Sequence, residues 1–147
     1  MVIELRDNLT IEHIKENFSW LLKADIEDAI IGILPRDRKL IWYDGIWLDG
    51  EWHNGIWRDG IWSKGIWHNG EWHTGCWEYG KWKNGIWHSG WWYNGEWHSG
   101  VWINGVWRNG IWYAGVWLSG KWHKGYWKGG YDSKINYQTE SPSKWSD

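Results

Sequence analysis

Residues 41–60 read IWYDGIWLDGEWHNGIWRDG, and the same five-residue beat runs on without insertion or deletion to Gly130. The unit is Ile/Val-Trp-x-Asn/Asp-Gly. It sets 18 tryptophans, Trp42 to Trp127, and 18 glycines, Gly45 to Gly130, in fixed register, leaving Trp20, Trp91 and Trp145 outside it. Self-similarity at a short fixed period marks a repeat architecture. A helix advancing about 100° per residue would scatter tryptophans five apart around its axis, and a straight strand would send successive ones to opposite faces. Each pentapeptide must therefore carry its own corner, and the Asn-Gly and Asp-Gly pairs supply one after a short β-favouring Ile-Trp-x segment. A short strand and a corner repeated at constant length build a coil, and stacked coils pair their backbones as a parallel β-solenoid.

The repeats dominate the composition: 21 Trp and 20 Gly in 147 residues. Aromatic content of 20% with only 2 Pro argues against disorder despite a mean hydropathy of -0.70. No apolar run is long enough to span a membrane as a helix. The first residues, MVIELRDNLTIEHIKENF, lack the basic-then-apolar layout of a signal peptide, which predicts a cytoplasmic chain. The single cysteine, Cys76, excludes an internal disulfide framework.

Composition at the position before Trp favours four sides per coil over three. A period of 20 gathers Ile46, Ile66, Ile86, Val106 and Tyr126 in one apolar column and stacks Glu51-Trp52-His53 on Glu71-Trp72-His73, whereas a period of 15 mixes Glu51, Ile66, Lys81 and Glu96. Four sides give about four and a half coils. Eighteen exposed indoles would be an aggregation hazard, so the tryptophans are expected to point inward, with glycine in the wall leaving room. Each indole N–H then needs an acceptor, and the carbonyls at the corners are the candidates.

Residues 41–130 resemble the pentapeptide-repeat protein family, whose unit is commonly Ala-Asp/Asn-Leu-x-x. The Gly-Ile-Trp-x-Asn unit aligns Trp with the central Leu or Phe and Gly with the small residue two before it. The resemblance implies a quadrilateral solenoid and says nothing about activity. Trp in place of Leu or Phe, and Ile or Val in place of Asp or Asn, depart from the usual family pattern. Gly-x-Trp/Phe-x-Asn stretches are also similar to parts of large tailed-phage proteins, which implies a viral source and a place in the virion or the host cytoplasm.

The flanks differ. In residues 1–40, Val2-Ile3-Glu4-Leu5 alternates like a strand, Thr10 caps a helix with Ile11, Ile14, Phe18, Leu21 and Leu22 on one face, and Asp25 starts a second helix through Ile33, which Pro35 stops. An open solenoid end needs a cap, and residues 1–40 are expected to form a small α-helical one. The organisation expected is therefore a cap (1–40), a Trp-rich solenoid (41–131) and a flexible tail (132–147).

Net charge is -2, but residues 1–80 carry 8 Lys/Arg against 14 Asp/Glu while residues 81–134 carry 7 against 2. Sequence order is axial order in a solenoid, so the carboxyl end should be basic and suited to an anionic partner through Arg108, Lys121, Lys124 and Lys128. The four-sided register places Trp91, Tyr93, Ile111, Tyr113 and Tyr131 in one exposed aromatic strip, the composition of an interface core or a stacking platform. His53 and His73 with Glu51 and Glu71 would sit on adjacent rungs, but outward side chains diverge and no metal site is nominated; no cofactor is expected. His68 and His88, stacked near Arg108, read as solvated surface, and Cys76 has no basic neighbour to activate it. With no phosphate loop, nucleophile elbow or paired carboxylates in a cleft, the reading is of a non-catalytic structural or interaction protein that binds a protein partner or dimerises. The alternative is a module that sequesters a nucleotide, nucleic acid or glycan. Imitation of DNA towards a topoisomerase, known in the family it resembles, ranks below both because the second half is basic.

Overall fold

The computed structural model describes residues 3–133. Along the chain come β1 (Ile3–Leu5), α1 (Ile11–Asn17), α2 (Ser19–Lys23), β2 (Asp25–Ile33) and β3 (Leu40–Asp49). Two-residue strands β4 to β20 follow, from Glu51–Trp52 to Tyr131–Asp132. Among β3 and the strands after it every pairing is parallel and joins residues 15 apart, as in Trp42 with Trp57, Trp67 with Trp82 and Trp112 with Trp127. The fold is the expected mainly β parallel solenoid, but each coil has three sides, not four. Residues 41–130 therefore make about six coils instead of four and a half, a rod about 29 Å tall at the usual strand spacing.

Backbone geometry accounts for the triangle. A closed coil must turn about 120° at each of three corners but only about 90° at each of four, and the sharper turn needs a conformation that side chains resist. The repeat glycines supply it: all 18 have φ between 117° and 137°. Side-chain oxygens brace several corners, as where Gly55 N–H donates to Asn54 Oδ1 (2.9 Å) and Gly60 N–H to Asp59 Oδ1 (2.8 Å). Each pentapeptide then makes two ladder bonds to the coil below. Ile66 N–H donates to the Gly50 carbonyl at 3.0 Å and His68 N–H to the Trp52 carbonyl at 2.8 Å, and the pair recurs along the rod.

The core is tryptophan throughout. The repeat indoles from Trp42 to Trp112 are fully buried, as the inward reading expected. They form three columns, one per side, in which each ring lies parallel to the ring 15 residues on with centroids 4.7–5.0 Å apart. Ring atoms in contact sit closer than that, at about 3.5–4.0 Å, so the parallel rings must slide past one another into the offset arrangement aromatic pairs prefer. Between columns, consecutive indoles meet edge to face at 5.8–6.0 Å and 66–75°. The corner carbonyls accept from part of the core: Trp52, Trp67, Trp72, Trp82, Trp92, Trp102 and Trp107 each donate Nε1–H to the carbonyl 17 residues on, at 3.1–3.2 Å, whereas the equally buried Nε1 atoms of Trp42, Trp47, Trp57, Trp62, Trp77, Trp87, Trp97 and Trp112 have no hydrogen-bond partner among the described residues.

The amino-terminal segment closes the first coil, with one change from expectation. Thr10 does cap α1, its hydroxyl accepting from His13 N–H at 3.1 Å. Residues 25–33, however, form the extended β2, not a second helix; the short α2 lies before them. Spacing of Ile26, Ala29, Ile30 and Ile33 is helical, and pairing overrode it: β2 runs antiparallel along β3 and parallel to β1, satisfying the sheet edge that β3 would leave bare. A bulge at Asp28, with φ 52°, absorbs the mismatch. Asp7 pins the cap, accepting from Tyr43 O–H (2.7 Å) and from the N–H of buried Ile33 (3.2 Å). Asp7→Ala leaves both donors short of a partner and is expected to lower stability by about 1–3 kcal/mol in chemical denaturation. The flexible-tail expectation for 132–147 falls, beyond Ser133, outside the described residues.

Candidate functional site

Three flat faces result, each displaying the residues on either side of Trp. The first carries the rungs Ile46/Leu48, Ile61/Ser63, Cys76/Glu78, Trp91/Tyr93, Val106/Arg108 and Lys121/His123. The second carries Glu51/His53, Ile66/His68, Lys81/Lys83, Glu96/His98, Ile111/Tyr113 and Tyr126/Lys128. The third runs from Ile41/Tyr43 through Glu71/His73, Ile86/His88, Val101/Ile103 and Val116/Leu118 to Tyr131/Ser133.

The single aromatic strip does not exist. Trp91 and Tyr93 lie on the first face, Ile111 and Tyr113 on the second and Tyr131 on the third, because a 20-residue step moves one coil up and one side round. What the register does gather is tighter. Trp91 and Tyr93 are 44% and 41% exposed, with rings 6.4 Å apart and 18° from parallel. Arg108, from the next rung, sets its guanidinium 5.8 Å over the Tyr93 ring. Tyr113 lies flat against His98 at 4.7 Å, and Lys128 sits over the exposed Tyr126 ring at 5.7 Å. Arg108, Lys121, Lys124 and Lys128 are all exposed, on the first and second faces of the last two coils and the corner between them. Sequence reasoning missed the partly exposed apolar ladder of Val101, Ile103, Val116 and Leu118 that leads to Tyr131 on the third face. A 15-residue alignment of the positions flanking Trp would have found it.

The histidines are also regrouped. His53 does not neighbour His73, nor do His68 and His88 approach Arg108. Instead Glu51, His53 and His68 converge on the second face and Glu71, His73 and His88 on the third, and within each group the ligand atoms lie within 4.8 Å of one another. His68 Nε2 contacts Glu51 Oε1 at 2.8 Å, and that hydrogen bond holds the Glu51 carboxyl below its ordinary range. Burial, and then the facing His88, lowers the tendency of His73 to take a proton. Burial likewise pushes the Cys76 thiol up, followed by Glu78 and Asp59, which disfavours the thiolate form.

The described residues offer little concavity on the rod itself. A corner groove lined by Lys64, Ile66, Tyr79, Lys81 and Glu96 encloses about 210 Å³, less than the roughly 300–1,000 Å³ of ligand pockets. A larger hollow of about 660 Å³ lies in the cap beside Asp7, Thr10, His13 and Arg38. Several of its polar groups are already engaged: Asp7 by Tyr43, Thr10 in capping α1, and the His13 ring by Arg38 Nη2 at 3.1 Å. A third, of about 490 Å³, opens between α2 and the first coil, lined by Ser19, Trp20, Lys23, Glu51 and His53.

No protein-family model, curated protein or solved structure matches the chain.

Proposed function

We propose that the chain is a non-catalytic interaction rod that binds a protein partner, a second copy of itself being the simplest, through the surface of its carboxyl-terminal coils. One observation carries this reading: of the ten large apolar side chains exposed among the described residues, seven fall in the second half of the chain, Tyr79 and then Trp91, Tyr93, Tyr113, Leu118, Tyr126 and Tyr131. They share it with the exposed cations Arg108, Lys121, Lys124 and Lys128. Aromatic residues and arginine amid a polar rim are the composition of interface cores. The unbroken register supports the same reading, since a rigid repeat without loops presents surfaces and builds few clefts.

Light scattering after size exclusion tests it. The full chain is expected to exceed its 17.7 kDa monomer mass at high micromolar concentration, and the double replacement Trp91→Ser/Tyr93→Ser to return it to monomer with an unchanged circular dichroism spectrum. A monomer at every concentration, with no mass added by a partner, overturns the reading. The parallel Trp91 and Tyr93 rings beside Arg108 also favour a second reading, a stacking platform for a nucleobase or sugar; a thermal shift with nucleotides that the same double replacement removes would select it.

A further inference from the structure

We propose that Glu51/His53/His68 and Glu71/His73/His88 are two equivalent sites for a divalent transition-metal ion of the zinc type, each presenting two imidazole nitrogens and one carboxylate oxygen with a further position open to solvent. The ligand set is a familiar one for zinc sites with an open position. Its recurrence here is a product of the fold. Residues 51–70 and 71–90 resemble each other as 20-residue units, each starting Glu-Trp-His and ending with Ile-Trp-His-x-Gly. In each unit the second histidine stands 17 residues after the glutamate, and a coil of 15 brings it back beside the first, one rung along. The same three donors therefore meet twice, on adjacent faces.

Convergence and positioning agree with the assignment. Donor atoms within 4.8 Å of one another need only small side-chain rotations to close on an ion that binds nitrogen and oxygen at about 2.0–2.2 Å. Ring contacts position the histidines, one of them from outside the sites. His53 lies flat on Trp20, 3° from parallel at 5.3 Å, and His73 lies against His88 at 4.5 Å and 18°. In the second site, His88 Nε2 is enclosed and has no hydrogen-bond partner among the described residues. His98 Nε2, beside Glu96, is in the same state, so the assignment rests on the convergence of three donors. Ile56 and Ile86 pair directly with Glu71 on either side, which keeps that site drier. The first site instead opens into the hollow under Trp20, which has room for an additional ligand. Lys83 stands near Glu51 and Arg58 near His73. A divalent ion with one carboxylate keeps a net positive charge, so an anion is the fitting occupant of the open position.

The chain carries its own comparison. A third Glu-Trp-His begins at Glu96, but the position 17 residues on is Tyr113, not histidine. Titration of the full chain with zinc, and with cobalt followed by its visible absorption, should show two ions bound per chain. His68→Gln and His88→Gln should each leave one, and the double variant none, with residual binding at least about tenfold weaker. His123→Gln, on the first face, should leave two. Tyr113→His should create a third site. These positions are on the surface, and unchanged circular dichroism would confirm that each variant folds. No saturable uptake by the unaltered chain, or a stoichiometry indifferent to His68→Gln and His88→Gln, overturns the proposal.

Discussion

Trp87→Ala should lower stability by about 5 kcal/mol, while Trp91→Ala, four residues away, should change it by no more than about 1 kcal/mol. Trp87 stacks on Trp72 at 4.7 Å and on Trp102 at 4.8 Å, and meets Trp82 and Trp92 edge to face at 5.9 Å. Truncating a buried Trp typically costs about 3–5 kcal/mol, and each aromatic pair lost adds about 0.5–1.5 kcal/mol beyond burial. A loss of this size is comparable with the entire stability of many domains, about 5–15 kcal/mol. Because each coil touches only its neighbours, the damage should also uncouple the two halves, so guanidinium unfolding should split into two transitions. Trp87→Phe, which keeps a ring, should fall between. Equal losses at positions 87 and 91 would mean that the two side chains share an environment.

Gly80→Ala should cost about 2–4 kcal/mol with no change in polarity at all. Gly80 has φ 126°, a conformation open essentially to glycine alone, and forcing another residue there costs about 1–3 kcal/mol. The added Cβ would also run into the Gly65 carbonyl oxygen, with the Gly65 nitrogen 3.0 Å away. That oxygen is the acceptor for Lys81 N–H at 2.9 Å, so the methyl pushes on a ladder bond worth about 0.5–1.5 kcal/mol. Gly129 lies outside the corner series, and a Cβ there meets only the Tyr113 carbonyl oxygen at 3.6 Å. Gly129→Ala should be neutral or slightly stabilising. Thermal melts of the two variants side by side check the contrast.

The period of five made the solenoid and the inward tryptophans legible, and the corner carbonyls as acceptors for some of the indoles, because each follows from one pentapeptide considered alone. The number of sides does not. Every multiple of five places Trp on Trp and Gly on Gly, so the core matches itself in any such register and gives no phase. The surface pattern then misled: Glu51-Trp52-His53 resembles Glu71-Trp72-His73 at 20 residues, yet the strand above Glu51 is Ile66. Likeness along the chain reflected a recurring unit, while stacking obeyed the corner angle set by glycine. The aromatic strip failed for this reason, and the histidine groups were hidden by it. Residues 25–33 eluded the pattern differently, since their partner β3 lies outside any local window.

A core indifferent to phase has a consequence for how such a rod can change. Adding one pentapeptide would leave the indole columns continuous but carry every later side chain round to the neighbouring face, so that Arg108 would no longer stand over Tyr93 if the addition fell between them. Adding three would return each residue to its own face and lengthen the rod by one strand spacing, about 4.8 Å. Length and surface pattern are thus altered by different steps of the same small unit. A rod that must keep its partners can grow or shrink only by whole turns.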